Sequence, residues 1–187
     1  MRVSDTLKKL HEIAEGVEHK AYLCPAGVLT IGIGHTSQEP IPFAKGDEWT
    51  DEQIDEAWRH DVAAAVDDAN RLLQRPVTQG VFDATVDLIF NCGTGCRTYL
   101  QHVNNDNMEQ AEEALLKWIN VGGKVSLGLV KRRFADLALF RGESDWEKYL
   151  TCNATTKNYS ALNALIKEAG YKLEPDSNKV FKLVKTS

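Results

Sequence analysis

Apolar residues at the start of the chain recur every three to four positions, a pattern that predicts an amphipathic helix. Leu7 and Leu10 fall on its apolar face, and Ser4 offers a side-chain oxygen that can cap the exposed N–H groups of the first turn. We expect Gly16 to end this helix in a left-handed conformation. Glu15 therefore belongs to the last helical turn.

The period changes from helical to strand-like in the next segment, "KAYLCPAGVLTIGIGHT". The tripeptide "PAG" is typical of a turn, and the β-branched residues after it favour strands, with glycines that permit close backbone approach. We expect two or three short antiparallel strands here, followed by a loop that contains Pro40 and Pro42.

The helical period then returns and accounts for most of the remaining chain. In "TDEQ", Thr50 and Gln53 form a capping box, in which each side chain satisfies a backbone N–H group of the other residue. This helix is expected to run to about Gln74, because Pro76 cannot continue it. Thr78 is then placed as the N-cap of the next helix, "VTQGVFDATVDLIFNCG".

Three more helices are predicted between residues 107 and 150. The first, "NMEQAEEALLKWI", begins at Asn107 with Gln110 as its partner, and the second, "SLGLVKRRFADLALFRG", ends at Gly142. The third, "SDWEKYL", opens with a capping box that joins Ser144 to Glu147.

The order of these elements predicts an α+β fold, with a small N-terminal β-hairpin lobe, a larger and mainly helical C-terminal lobe, and a cleft between them. Residues 1–150 are expected to form one domain. Residues 151–187 are expected to form a C-terminal extension of unknown role, with one short helix and two strands joined by a turn from Pro175 to Asn178.

The composition is that of an ordinary globular protein, since 43% of the 187 residues are apolar and 26% are charged. The net charge of −5 argues against a broad cationic surface for nucleic acid. Residues 151–187 differ, with six Lys and three acidic residues. That excess suits contact with an anionic cell wall or membrane surface, although packing onto the helical lobe is the simpler interpretation.

The sequence shows neither an apolar window of membrane-spanning length nor a secretory h-region. We therefore expect a chain made in a cytosol, with no export signal of its own. Its four cysteines, Cys24, Cys92, Cys96 and Cys152, are too few for a disulfide framework, so reduced thiols are expected. The segment "CGTGC" fits no common zinc pattern, and neither a metal nor a cofactor is expected.

Three residues that can do chemistry meet at the junction between the first helix and the hairpin. Glu15 lies where the helix dipole disfavours an anion, so its protonated form, which general acid catalysis requires, is favoured unless a cation compensates. Cys24 beside the turn and Thr30 on the returning strand can face the same space. Spacing alone favours a simpler interpretation, a small buried Cys and an ordinary strand Thr.

The stretch "EGVEHKAYLCPAGVLTIGIGHT" resembles the active-site region of phage-type lysozymes, the T4-lysozyme-like endolysins of glycoside hydrolase family 24. That family shows a Glu, then eight residues, an Asp or Cys, then five residues and a Thr, and Glu15, Cys24 and Thr30 match both spacings. "RHDVAAAVDD", "FDATVDLIFNCGTG" and "WINVGGKVSLGLVKRRFADLALF" resemble the family's linker helix, buried core helix and C-terminal segment. The resemblance runs from about residue 4 to residue 150.

The resemblance implies a lysozyme-like fold and cleavage of the β-1,4 bond between N-acetylmuramic acid and N-acetylglucosamine in peptidoglycan. Glu15 would protonate the glycosidic oxygen. Cys24, in a place often held by Asp, would position or activate the attacking water or stabilise the oxocarbenium-like transition state, and Thr30 would hold that water. A thiol of ordinary pKa is mostly neutral near pH 7, so the acting species of Cys24 and the stereochemical outcome stay open.

The resemblance also implies supporting residues. His35 would form a structural ion pair with Asp61 at the start of the long helix. Arg132 would pair with the catalytic Glu15, and Arg133 is the competing assignment for that role. Such a cation would oppose the effect of the helix dipole on Glu15.

Three further positions are candidate substrate-binding residues, namely Thr36, Phe90 and Asn91. Asn91 follows Phe90 and matches a polar residue that lines the cleft in the family. An Asn at the end of a helix is an equally simple explanation for its position.

The sequence therefore predicts a monomeric peptidoglycan muramidase of the endolysin kind that lyses bacteria. It would be made in the bacterial cytoplasm and act in the periplasm or cell wall, reached through a holin or another secretion route. One alternative is a wall amidase or peptidase with Cys24 as nucleophile and His35 as its base. The other is a protein that binds peptidoglycan without cleaving it.

Overall fold

The computed structural model describes residues 1–155, 158–175 and 181–186. Helix α1 (Asp5–Glu15) begins as predicted, because the Ser4 hydroxyl accepts a hydrogen bond from the Leu7 N–H at 3.3 Å. Gly16 ends the helix with the positive φ that the sequence predicts, 82°, although its ψ of 168° places it outside the left-handed helical region. The chain leaves α1 in an extended direction and enters the sheet two residues later.

The N-terminal sheet has the three antiparallel strands that the sequence predicts, β1 (Glu18–Leu23), β2 (Leu29–Gly32) and β3 (His35–Thr36), in that spatial order. Thr30 lies on the central strand, directly opposite Thr36. The sheet packs on a small core of its own. That core contains Ile31, Ile33, Trp49, Ile54, Ala57, Trp58 and Val62.

Helix α2 (Asp51–Leu72) connects this lobe with the rest of the chain. The capping box of Thr50 and Gln53 is confirmed, with the Thr50 N–H donating to Gln53 Oε1 at 2.9 Å. The helix ends at Leu72, slightly before the predicted end at Gln74. Its N-terminal half supplies residues of the small core, whereas Ala65 and Ala69 pack into the larger core.

The helical lobe is built from five α-helices and a short hairpin. The elements are α3 (Gln79–Cys92), a 3₁₀ turn (Gly93–Gly95), α4 (Arg97–Asn104), α5 (Met108–Leu115), β4 (Asn120–Val121), β5 (Lys124–Val125), α6 (Leu127–Arg141) and α7 (Glu147–Thr151). The predicted N-cap of α3 is confirmed, since the Thr78 hydroxyl accepts from the Val81 N–H.

Two elements of this lobe were not predicted. Helix α4 follows a 3₁₀ turn and starts without a side-chain cap, so the usual signal of a helix start is missing. The hairpin β4–β5 turns at Gly122 and Gly123, whose φ angles of 56° and 77° suit glycine. The predicted helix "NMEQAEEALLKWI" ends early for this reason, at Leu115.

Two predicted caps are wrong. Asn107 precedes α5 but its side chain makes no capping hydrogen bond. The capping box of Ser144 and Glu147 does not form, because α7 begins only at Glu147, after Trp146. Trp146 is buried, so side-chain packing rather than a cap fixes the start of this helix.

Helices α3 and α6 form the centre of the larger core and approach each other closely. Every residue of α3 from 81 to 89 is buried, including Asp83 and Asp87. A Cβ atom added to Gly80 would lie 1.9 Å from the carbonyl oxygen of Leu139 in α6. The two backbones therefore touch, and buried charges on one helix reach the other.

The described part of the C-terminal extension packs onto the helical lobe. It contains α8 (Ser160–Glu168), β6 (Tyr171–Pro175) and β7 (Phe181–Lys185), which pair as an antiparallel hairpin. Leu162, Ile166, Tyr171, Leu173 and Phe181 join the larger core. Of the predicted turn, Pro175 is the last residue of β6, and residues 176–178 lie outside the described residues.

The extension is also tied to the lobe by polar contacts. Lys185 Nζ lies 3.0 Å from Glu109 and 2.7 Å from Glu113, both on α5. Asn163 forms two hydrogen bonds with the backbone of Leu173. None of the described helices combines the length and the apolar character needed to cross a bilayer.

We predict that Gly80→Ala lowers the free energy of unfolding by about 3 kcal/mol, because the added methyl group forces α3 and α6 apart. Gly128→Ala is the control, since a Cβ there meets Ser126 Oγ at 3.7 Å, an ordinary contact. Urea denaturation measures both. A Gly80→Ala protein as stable as the Gly128→Ala protein would contradict the close approach of the helices.

Candidate active site

Glu15 stands where α1 ends against the sheet. A Cβ atom added to Gly34, in the turn between β2 and β3, would lie 3.7 Å from Glu15 Cβ and 4.0 Å from Oε2. The Glu15 side chain is 34% exposed. The carboxyl group therefore faces solvent while its stem is held against the backbone of the sheet.

The cation that compensates the helix dipole at Glu15 is Arg132. Its Nη1 donates to Glu15 Oε1, while its Nε and Nη2 donate to Asp87 at 3.0 and 2.7 Å. The guanidinium is nearly buried, with 7% of the side chain exposed. Of the two arginines that the sequence left open, the structure brings Arg132 to Glu15 and directs Arg133 to Asp87 and Asp136.

Asp87 is the anion at the centre of this arrangement. It is fully buried and accepts hydrogen bonds from His11 at 2.8 Å, from Arg132 and from Arg133 at 2.5 Å. Burial alone would raise the pKa of Asp87, but Arg132, the hydrogen bond from His11 and Arg133 outweigh burial and hold the pKa well below its usual range. Asp87 is therefore a permanent anion.

His11 links this anion to the small lobe. Trp58 Nε1 donates to His11 Nδ1 at 3.0 Å, and an indole N–H can only donate. Nδ1 is therefore the acceptor and Nε2 carries the hydrogen that is donated to Asp87, which assigns a neutral ring. Trp58, His11, Asp87, Arg132 and Glu15 thus form one continuous hydrogen-bonded chain, called here the buried relay.

Arg133 and Asp136 lie beside the buried relay on α6. Arg133 Nε is 2.7 Å from Asp136 Oδ2, and both side chains are fully buried. Burial raises the pKa of Asp136 well above its usual range, and the neighbouring Arg133 and Arg132 do not overcome this effect. Asp87 is therefore the main counterion of both arginines.

Cys24 lies just after β1, in a tight turn closed by hydrogen bonds of its own backbone to Gly27 and Val28. Its thiol has a lowered pKa, chiefly through the backbone N–H groups of Val28 and Ala26, which outweigh a small effect of burial. The Thr30 hydroxyl donates to the Val28 carbonyl oxygen at 3.1 Å and also contributes to the lowered pKa of Cys24. The Val28 carbonyl oxygen thus joins Cys24 and Thr30, and the turn stabilises negative charge on the sulfur.

His35 and Asp61 connect β3 with α2. His35 Nδ1 lies 2.9 Å from Asp61 Oδ2, and Nε2 lies 2.9 Å from the carbonyl oxygen of Ile41. Both ring nitrogens face acceptors, so both carry hydrogen and the ring is assigned as a cation paired with Asp61. Neither nitrogen is free to act as a base for Cys24, which removes the basis for a Cys–His nucleophile pair.

The candidate substrate-binding residues occupy different surroundings. Thr36 is half-buried on β3, opposite Thr30. Asn91 is exposed near the end of α3, where Cys92 Sγ lies 3.4 Å from its Oδ1. Phe90 is half-buried and stacks on His11 with ring centroids 4.7 Å apart, so it packs against the buried relay. Their contact with substrate stays a prediction.

The four cysteines are free thiols. Burial raises the pKa values of Cys92 and Cys96, so these two thiols are less reactive than Cys24. Among the side chains that the structure describes, no group of three His, Cys, Asp or Glu residues is arranged to hold a metal ion.

Sequence reasoning missed three members of the buried relay, Trp58, His11 and Asp87. His11 lies one helical turn before Glu15 on α1, and Asp87 lies in the apolar run of α3. A charged residue inside such an apolar run is a signal of a buried ion pair, because an unpaired charge there would be costly. The sequence alone does not reveal its partners, which come from two other helices, α1 and α6.

We predict that Cys24 is alkylated by iodoacetamide faster than Cys92 and Cys96, with a half-maximal rate at a pH below that of an ordinary thiol. The lowered pKa means that the thiolate persists as pH falls through the usual thiol range. Thr30→Val removes one hydrogen-bond donor and should move this midpoint to higher pH. Peptide mass mapping of the labelled protein measures the rates. Equal labelling of the three thiols at all pH values would rule out the thiolate.

We predict that Asp61→Asn lowers the free energy of unfolding by about 3 kcal/mol, because it leaves the buried His35 cation without its partner. Asp55→Asn on the same helix is the control. Asp55 pairs with Lys8 near the surface, and its loss should cost less than about 1 kcal/mol. Thermal and urea unfolding measure both. Equal losses in the two variants would argue against a charged His35.

Known proteins provide independent comparisons. A family model described as phage lysozyme matches residues 12–136. The endolysin of Bacillus phage B103 is 34% identical over an alignment that covers 100% of this chain and 71% of that protein. Of the solved structures, the endolysin of Escherichia coli O157:H7 phage FAHEc1 superposes with a TM-score of 0.68 at 31% identity, covering 75% of this chain and 93% of the other. A lysozyme of phage P22 gives 0.67 at 31% identity, covering 75% and 99%.

Proposed function

Since the chain belongs to the phage lysozyme family and is a peptidoglycan hydrolase of the muramidase type, we propose that Glu15, Cys24 and Thr30 are its catalytic residues. The observation that carries this proposal is that a helix-end acid, backed by a buried arginine, packs against one turn of the sheet at Gly34, while another turn of the same sheet holds a thiol of lowered pKa. Family membership supports the bond cleaved, and the contacts of each residue support its role.

Glu15 acts as the general acid. Its carboxyl group is partly exposed, so a glycosidic oxygen can reach it, and its stem rests against the turn at Gly34. General acids of glycosidases give their proton to the leaving sugar oxygen as the C1–O bond breaks. Arg132 then stabilises the carboxylate that remains, through the Nη1 hydrogen bond.

Cys24 acts as a thiolate in place of the second carboxylate that most glycosidases use. The lowered pKa supports this species, since the backbone N–H groups of the turn stabilise a negative sulfur. A negative charge on this side favours the oxocarbenium-like transition state by electrostatic attraction. The attacking water bonds to C1 as the C1–O bond breaks, and its released proton passes to the thiolate. The step leaves Glu15 as a carboxylate and Cys24 as a thiol.

Thr30 orients that water. Its hydroxyl donates to the carbonyl oxygen of Val28 at 3.1 Å, beside the Cys24 turn, and its oxygen can still accept a hydrogen bond from water. Thr36 lies opposite Thr30 on the neighbouring strand and is proposed to contact the substrate, as is Asn91 at the end of α3. Phe90 is proposed to border the same cleft while supporting His11.

The substrate is peptidoglycan, and endolysins act on the host cell wall after release. We infer that the chain is made in the bacterial cytoplasm, acts as a monomer in the periplasm or wall, and relies on a holin or another secretion route for access. Residues 151–187 are proposed to extend the helical lobe, because Leu162 and Ile166 are fully buried in its core. The paired Lys185 supports this structural role more than contact with a membrane.

We predict that Glu15→Gln lowers the rate of peptidoglycan solubilisation by about 10²–10⁴-fold, since the amide cannot donate a proton to the leaving oxygen. Cys24→Asp should keep activity within about tenfold, because Asp restores the usual second carboxylate. Glu12→Gln, on the same helix and paired with Lys8 at the surface, is the control and should stay fully active. Turbidity loss of purified cell walls measures all three.

The opposite result identifies the alternative. An enzyme that keeps its activity as Glu15→Gln but loses it as Cys24→Asp would be a Cys-dependent amidase or peptidase. A wild-type chain that binds cell walls without solubilising them would be a binding protein.

A further inference from the structure

We propose that Asp87 is a positioning residue of the muramidase reaction. It accepts most of the hydrogen bonds that Arg132 donates and thereby limits how strongly Arg132 stabilises the carboxylate form of Glu15. The inference rests on the proposed function of Glu15 as the general acid. It explains why a buried anion and a buried neutral histidine are placed behind the acid, where neither touches substrate.

The hydrogen bonds of Arg132 are divided unequally. Its Nε and Nη2 donate to the two oxygens of Asp87 at 3.0 and 2.7 Å, whereas a single Nη1 donates to Glu15. Asp87 therefore binds the edge of the guanidinium group formed by Nε and Nη2, and this orientation directs Nη1 toward Glu15. Bidentate arginine–carboxylate contacts of this kind fix orientation as well as charge.

Asp87 itself cannot move, because His11 and Arg133 bind it from two other directions. His11 donates to Oδ1 at 2.8 Å and is held by Trp58 on its far side. Arg133 donates to Oδ2 at 2.5 Å. The position of the Arg132 guanidinium is thus set by helices that lie behind the cleft.

The charges around Asp87 favour this division. The titratable and charged groups that face it or its partners from the packed helices, besides Arg132 and Glu15, are His11, Asp83, Cys92, Cys96, Tyr99, Arg133 and Asp136. His11 is assigned as neutral, and burial raises the pKa values of Asp83, Cys92, Cys96, Tyr99 and Asp136. Asp87 is then the anion against which both arginines are balanced.

The consequence concerns the alkaline limit of activity. A general acid works only while it holds its proton, and an unopposed guanidinium beside Glu15 would favour the carboxylate. Asp87 offsets that cation and also repels a second negative charge. The wild-type enzyme therefore stays active to a higher pH than it would with Arg132 alone.

The test is the pH profile of kcat/KM for solubilisation of purified peptidoglycan by the full chain. Asp87→Asn should move the alkaline limb about one pH unit lower, while KM changes little. The variant keeps a carbonyl oxygen for Arg132, and Asp136 is placed to ionise beside Arg133. An Asp87→Asn enzyme with an unmoved alkaline limb would overturn the proposal.

Asp83→Asn is the matched control. Asp83 is buried on the same helix, one turn earlier, but it accepts hydrogen bonds from Ser4 and Gln79 instead of an arginine. It should lose stability without a shift of the alkaline limb. An equal shift in the Asp83→Asn enzyme would show a general effect of buried charge and would also overturn the proposal.

Arg132→Met decides the case if Asp87→Asn does not fold. Asp87 keeps Arg133 and His11 in that variant, and loss of the cation should move the alkaline limb to higher pH. An unmoved alkaline limb in the Arg132→Met enzyme would refute the claim that Arg132, shared between Asp87 and Glu15, favours the carboxylate form of Glu15. Glu15→Gln distinguishes failure of the proposed function from failure of the role of Asp87. Full activity of Glu15→Gln would refute the general acid itself. An inactive Glu15→Gln enzyme, together with unmoved alkaline limbs in the Asp87→Asn and Arg132→Met enzymes, would refute only the role of Asp87.

Discussion

The ion pair between Asp87 and Arg132 is the constraint on which the active site depends. Two arginines on α6 are buried, and buried cations are tolerated only where an anion and further hydrogen bonds compensate for lost hydration. Asp87 supplies that anion from α3, which the contact at Gly80 brings against α6. Removing the anion would leave two buried cations without their main counterion, so the structure ties the stability of the helical core to the geometry of Glu15, the proposed catalytic acid.

The same interaction joins the two lobes. Trp58 belongs to the small core, and through His11 its indole N–H fixes the carboxylate that holds Arg132. A second link, between His35 and Asp61, fastens the sheet to α2. Glu15 and the Cys24 turn come from different elements, and these two polar links fasten the sheet and its small core to the helices that carry Glu15 and Arg132.

The sequence predicted the parts of the fold that depend on local chemistry. Ser4, Thr50 and Thr78 cap helices as expected, because a side-chain oxygen beside free N–H groups needs only its neighbours. Helix α4 and the hairpin β4–β5 escaped prediction, since packing and paired glycines define them. The family motif identified Glu15, Cys24 and Thr30 as candidates.

The relay behind Glu15 could not be predicted in the same way. Asp87 lies in an apolar run, so its charge indicates a buried partner but does not show which residue that partner is. Two of its partners, Arg132 and His11, are 45 and 76 residues away along the chain. Only the crossing of α1, α3 and α6 brings them together. Local patterns thus identify candidate catalytic residues, whereas tertiary packing decides which charged residues surround them.

Mass spectrometry of the fragments released from purified peptidoglycan tests the central claim most directly. A glycosidase in which Glu15 protonates the glycosidic oxygen and water attacks C1 should release fragments with reducing N-acetylmuramic acid ends and intact stem peptides. Anhydromuramic ends would contradict the attack of water, and cleaved stem peptides would contradict the assignment of Cys24 to sugar chemistry.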